Sequence, residues 1–213
     1  MLRIRVQSKP RKVRKIPVWK QCCWVFGWYA AVFVLLRIGF QLYQPTLIAE
    51  DVQDLRLHGG LLCVLNLVAA CAAFAVLRTY ERLGERGTAF AVLALLGASF
   101  AGLARFGSDL GGTWTTFAVI VLLCGWQQIS FGFMHPIGRT ALNARIAPAE
   151  RASLLSAQSV VARILFAAVM AFLPWDAMFA ERLDQTYLGL AGVSFALALL
   201  FFVTHHSRRR RAA

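Results

Sequence analysis

Long uncharged runs separated by short charged clusters set the pattern of this chain. Six runs stand out, at 22–43, 59–77, 88–104, 113–134, 152–173 and 186–204. A helix crosses the hydrocarbon core of a bilayer in about 20 residues at ~1.5 Å each. Five of the runs meet that length or nearly so; 88–104 is short and needs its flanks. Arg37 alone interrupts the first run, Asn66 sits at the centre of the second, and Arg163 lies inside the fifth. The runs are rich in Ala, Gly and Leu and lack the strict alternation of barrel strands, so they predict helices. Ala69, Ala70, Ala72 and Ala73 would let a neighbouring helix come close. The expected architecture is an all-α, polytopic membrane protein. It has a basic N-terminal arm (1–21), a six-helix transmembrane domain (22–204) and a basic tail (205–213).

Composition agrees. The 213 residues are 59% hydrophobic and 15% charged, with mean hydropathy +0.61. Soluble domains carry about 25% charged residues. The net charge of +13 raises the question of nucleic acid. Yet the basic residues lie between and outside the apolar runs, not on one face with interleaved aromatics, so no nucleic-acid partner is expected. The basic arm followed by an apolar run resembles a signal peptide, but no small-x-small cleavage site follows. A retained first helix, its arm drawn to anionic lipid headgroups, is the better reading.

Charge placement orients the chain. With the N-terminus in the cytoplasm, the inner segments hold 18 of the 23 Lys and Arg residues: eight in the arm, Arg78, Arg82 and Arg86, then Arg139, Arg145 and Arg151, and finally Arg208 to Arg211. The outer loops hold Arg56, Arg105 and Arg182, whereas Glu50, Asp51, Asp54, Asp109, Asp176, Glu181 and Asp184 fall outside. This is the positive-inside bias, and it places both termini in the cytoplasm.

The loop 77–87 reads LRTYERLGERG. As a bland turn it needs only to be polar, but Glu81, Arg82, Gly84 and Arg86 can also cap one helix and latch onto the carbonyls of another. The spacing resembles the inter-helix signature of the major facilitator superfamily, acid-Arg-x-Gly-x-Arg/Lys, with Glu81 at the usual Asp position. The stretch from His135 to Arg163 carries a second similarity. Pro136, Leu142-Asn143, Ile146, Pro148 and Glu150-Arg151-Ala152-Ser153 resemble the passage between the tenth and eleventh helices of many bacterial members. Arg37 with Gln41-x-Tyr43-Gln44-Pro45 resembles the seventh. The likeness covers about 22–204 and matches the C-terminal six-helix half of a twelve-helix transporter. It implies secondary-active transport of a small solute in a bacterial inner membrane, with substrate held between two halves that rock about it. A lone half has no opposing wall. The second half is then a lost portion of the chain, a separately encoded chain, or another copy. The competing reading is a membrane scaffold or transporter remnant that does not transport.

Candidate substrate-binding residues follow from polar positions inside spans. Arg37, Gln41 and Gln44 form one stripe at i, i+4, i+7. An arginine at mid-bilayer costs about 2.5–3.5 kcal/mol on insertion scales, so Arg37 is expected either to face a cavity or partner or to snorkel outward. Trp126, Gln127 and Gln128 lie on the fourth helix, which lines the cavity in the family it resembles; an interhelical hydrogen bond is the alternative. Ser156, Ser159 and Arg163 form a stripe on the fifth. Asn66 fits helix–helix bonding better than a ligand. Arg139, Asn143 and Arg151, with the 81–86 loop, are inner-gate candidates. No Asp or Glu lies within a span, so a proton-carrying carboxylate would have to come from the other half. The five cysteines lack metal-ligand spacing and are expected as small buried hydrophobes. His205 and His206 suit a helix C-terminus. Gly97-Ala98-Ser99-Phe100 lacks the second glycine of an intramembrane serine protease, and no Walker loop is present. No enzyme activity, metal or cofactor is expected.

Overall fold

The computed structural model describes residues 18–49, 55–106, 113–172 and 182–210. Among these the chain is helical almost throughout, with no strand. Five helices follow in order: α1 (Val18–Ala49), α2 (Leu55–Phe106), α3 (Thr113–Asn143), α4 (Arg151–Phe172) and α5 (Leu183–Arg210). A single 3₁₀ turn, Pro148–Glu150, leads into α4. All five are long and apolar enough to cross a bilayer. The chain is therefore an all-α protein of membrane-spanning type. The arm 1–17 and the last residues 211–213 lie outside the described residues.

The expected break between the second and third apolar runs is much tighter than a loop. α2 contains 52 residues, and a straight helix of that length would be about 78 Å long, more than twice the hydrocarbon thickness. Its contacts rule out a straight course. Gly132 of α3 lies against Ala69 and Ala72, while the Ser130 hydroxyl, two residues earlier, donates to the carbonyl of Val92 at 3.2 Å. Along a straight helix Ala69 and Val92 would be about 35 Å apart. The chain doubles back at Gly84, whose φ of 67° and ψ of 178° fall in a region essentially closed to side chains. Glu81 and Arg82 thus end a first helical arm and Arg86 opens a second, where a loop was expected. The Thr88 hydroxyl donates to the Gly84 carbonyl at 2.7 Å and helps close the new first turn.

A second boundary also moves. The fourth apolar run continues as helix past Met134 and through Pro136 to Asn143. Neighbouring helices make such a proline tolerable. Arg139 and Asn143 therefore stand on the last turns of α3 and not in a loop. Pro148, favoured at the first helical position, starts the 3₁₀ turn.

Packing centres on α1, which touches all four other helices. Within lipid, association rests on close packing and interhelical hydrogen bonds, because the tails are as apolar as the side chains. Trp28, Leu42, Leu93, Phe100, Ile120 and Tyr187 are among the fully buried side chains. Trp28 Nε1 donates to the Ala89 carbonyl at 3.2 Å, and the Ser99 hydroxyl to that of Leu123 at 2.8 Å. The hydroxyls of Thr46 and Tyr187 meet at 2.7 Å, joining α1 to α5. The second arm of α2 holds to α3 by small residues, with Gly102 against Leu123. α4 is the exception: of its side chains only Gln158 and Ala162 are buried, and it rests chiefly on α1.

Candidate functional site

Three helices meet around a cavity of about 270 Å³ at mid-span. α1 contributes Arg37, the first arm of α2 contributes Asn66, and α3 contributes Gln127 and Gln128. Gln128 is the middle residue of α3, which puts this wall about 20 Å from either end of the helix. Phe33, Leu36, Phe40, Leu62, Phe131 and Met134 are among its apolar lining. No carboxylate lines it.

Each polar group is held by its own element. The Arg37 guanidinium stands over the Phe33 ring, 5.4 Å from its centre and one helical turn away, a cation–π contact. Among the described residues no carboxylate pairs with it. Gln127 is buried, 5% exposed. Its Oε1 lies so near Gly39 that a Cβ there would come within 2.7 Å of it, so the glycine makes room for the amide. Its Nε2 has no hydrogen-bond partner. Asn66 donates to the Leu62 carbonyl of its own helix at 2.8 Å. That local bond replaces the interhelical one expected of it, and leaves the side chain exposed on the cavity wall.

The structure thus brings Arg37 and Gln127 together with Gln128 and Asn66. Gln41 and Gln44 are exposed on the same face of α1, one and two turns further along, and Gln44 donates to the Tyr43 hydroxyl at 3.4 Å. Trp126 is turned against the core. Ser159 is half-buried and Arg163 exposed on α4; neither lines this cavity.

A second polar assembly lies where α2 doubles back. Arg145, just beyond α3, donates from Nη2 to both carboxylate oxygens of Glu85 at 2.7 and 2.8 Å, and from Nη1 to the Ala141 carbonyl. Glu85 is the first residue after Gly84, at the start of a helical arm, and Arg145 sits at a helix C-terminus. Both charges therefore suit the local dipoles. Arg151 donates to the Asn143 carbonyl at 3.4 Å, while Asn143 Oδ1 and Arg151 Nε are buried without partners. Of the expected inner-gate residues, Gly84 makes the turn and Arg151 and Asn143 bond to each other. The ion pair itself, Glu85–Arg145, was not among those expected. Glu81, Arg82 and Arg139 are exposed.

Two further features differ from expectation. The Tyr29 hydroxyl and His135 Nδ1 lie 3.1 Å apart, with the Phe131 ring edge-on to the imidazole. Gln158, whose Nε2 is buried without a partner, lies near the same place across Gly138. Cys22 and Cys124 are buried, but Cys23, Cys63 and Cys71 are exposed, because they fall on helix faces that none of the described residues covers. Among the described residues no three His, Cys, Asp or Glu side chains converge as a metal site would require. Compared with known proteins, the chain matches no family model, no curated protein and no solved structure.

Proposed function

We propose that this chain is one six-helix half of a transporter of the major facilitator type. It would move a small solute across a bacterial inner membrane with a second half supplied by another polypeptide or a second copy. In this reading each arm of α2 is a separate crossing, which brings the five long helices to six spans with both termini in the cytoplasm. The observation that carries it is the mid-span wall of Arg37, Asn66, Gln127 and Gln128. Polar groups at that depth are costly in lipid and are retained where they serve a pathway or a partner. The Glu85–Arg145 pair would then hold the cytoplasmic side of the pathway, and Gln41, Gln44, Ser159 and Arg163 would line it once the second half is present.

Two experiments test this. Single cysteines replacing Arg86, Arg139 and Arg105, in a background without the native cysteines, should be labelled by an impermeant maleimide from the cytoplasmic side for the first two and from the outside for the third. Labelling of Arg86→Cys and Arg105→Cys from one side would overturn the six-span arrangement. Proteoliposomes carrying the full chain, alone and with a co-expressed six-helix partner, should accumulate a labelled solute saturably. Absence of uptake in both, across organic anions, sugars and amino acids, would favour a scaffold.

A further inference from the structure

We infer that the mid-span cavity is a binding site for an organic monoanion, a carboxylate on an aromatic or similarly flat apolar body. The inference deepens the transport reading and rests on it for the anion's passage, but not for its binding. Four observations converge. Arg37 is a permanent cation, and among the described residues no carboxylate pairs with it or lines the cavity; none of the ten acidic residues falls inside an apolar run. A charge left so in a membrane is expensive, and a bound anion would relieve that cost. The Gln127 Nε2 is a buried donor with no described partner to donate to, and an amide donor buried unpaired is destabilising. An oxygen of the same carboxylate would satisfy it. Gln128 adds an amide to the same wall, whereas the Asn66 amide is already committed to Leu62. The donor set is thus a guanidinium and side-chain amides, the groups that hold carboxylates.

The rest of the lining defines the body of the ligand. Phe33, Phe40 and Phe131 line it with aromatic rings, and Met134 adds a polarizable side chain. A cavity of about 270 Å³ has room for one or two rings and little more. A sugar would leave its hydroxyls against these apolar walls, and an amine would meet Arg37 with like charge.

The probe is 2-naphthoate, followed by its own fluorescence in equilibrium dialysis against the full chain in lipid nanodiscs, with empty discs subtracted. 2-Naphthamide, naphthalene-2-methylammonium and acetate serve as the neutral, cationic and ringless counterparts. Naphthoate should bind saturably, roughly 10- to 100-fold more tightly than each of the three, the range expected of one charge-assisted hydrogen-bonded contact. Arg37→Gln should reduce naphthoate to the level of the amide, and Arg37→Lys should keep part of the difference. Gln127→Glu should abolish the preference for naphthoate over naphthamide, because the new carboxylate would take the place of the ligand's beside Arg37. Equal binding of naphthoate and naphthamide, or unchanged binding in Arg37→Gln, would overturn the site. If Arg37→Gln does not fold, the Lys and Glu variants decide the matter. Uptake of the same probes into proteoliposomes separates the two readings. Binding without flux overturns transport and leaves the anion site standing; flux of the ammonium alone overturns the anion and leaves transport.

Discussion

Arg145 and Arg37 carry the same charge, and the fold treats them in opposite ways. Arg145 is enclosed: both oxygens of Glu85 and a carbonyl at the end of α3 accept hydrogen bonds from it, and the two side chains are 22% and 17% exposed. Arg37 lies far deeper along its helix and, among the described residues, has an aromatic face and no carboxylate. The first charge is finished within the chain and so fixes structure, tying the turn of α2 to the end of α3. The second is left unneutralised where neutralisation matters most. Charge satisfaction, more than position, separates the arginine that ties this fold together from the one we propose as a ligand contact.

If this contrast is right, stability should respond strongly at the first site and hardly at the second. Glu85→Ala leaves a mostly buried guanidinium without its partner and should cost about 3 kcal/mol, at the low end for breaking a buried pair because this one is partly exposed. The drop should appear in thermal unfolding in detergent. The double variant with Arg145→Ala should lose less than the sum of the two single changes. Gly132→Ala drives a methyl into the backbone at Ala69 and should cost about 2 kcal/mol as overpacking. It would loosen the arm that carries Asn66, and protease sensitivity in that arm should rise with it. Gly84→Ala forces a side chain into the positive-φ turn and should cost about 1.5 kcal/mol, read from the same unfolding curves. Arg37→Gln gives up only the cation–π contact with Phe33 and should move stability by no more than about 1 kcal/mol. A large destabilisation there would erase the contrast, for it would mean that Arg37 also holds the fold together.

The helices were legible in the sequence because a bilayer demands about 20 apolar residues from each crossing, and such runs are hard to hide. The turn at Gly84 was legible as a place and not as a shape. A glycine between charges suggests a loop, whereas only the dihedral angles reveal that helix resumes at once on the far side. The Glu85–Arg145 pair was not legible at all. Glu81, Arg82, Glu85 and Arg86 are interchangeable as composition, and which of them faces a residue 60 positions away depends on the helical phase that Gly84 resets. The rotation of α3 about its own axis likewise decides that Gln127 and Gln128 reach the cavity while Trp126 turns to the core. Arg37 was visible as a charge in an apolar run without an in-span carboxylate, but its sharing a cavity wall with Asn66, Gln127 and Gln128 became visible only when three helices were assembled. Asn66 was placed correctly and given the wrong bond, since an amide on a helix can satisfy itself one turn back without any neighbour.

The bond between Thr46 and Tyr187 has a consequence in time. Its partners are 141 residues apart, and a ribosome adding about 5–20 residues each second would take roughly 7–28 s between them. α1 therefore enters the membrane long before the helix that completes it is synthesised. In that interval its hydroxyls and indoles face lipid or the insertion machinery, and its Thr46 side chain has only the carbonyl of Leu42 to bond. The helix at the centre of these five is made before the helices that enclose it, so its assembly depends on whatever shields it in the interim.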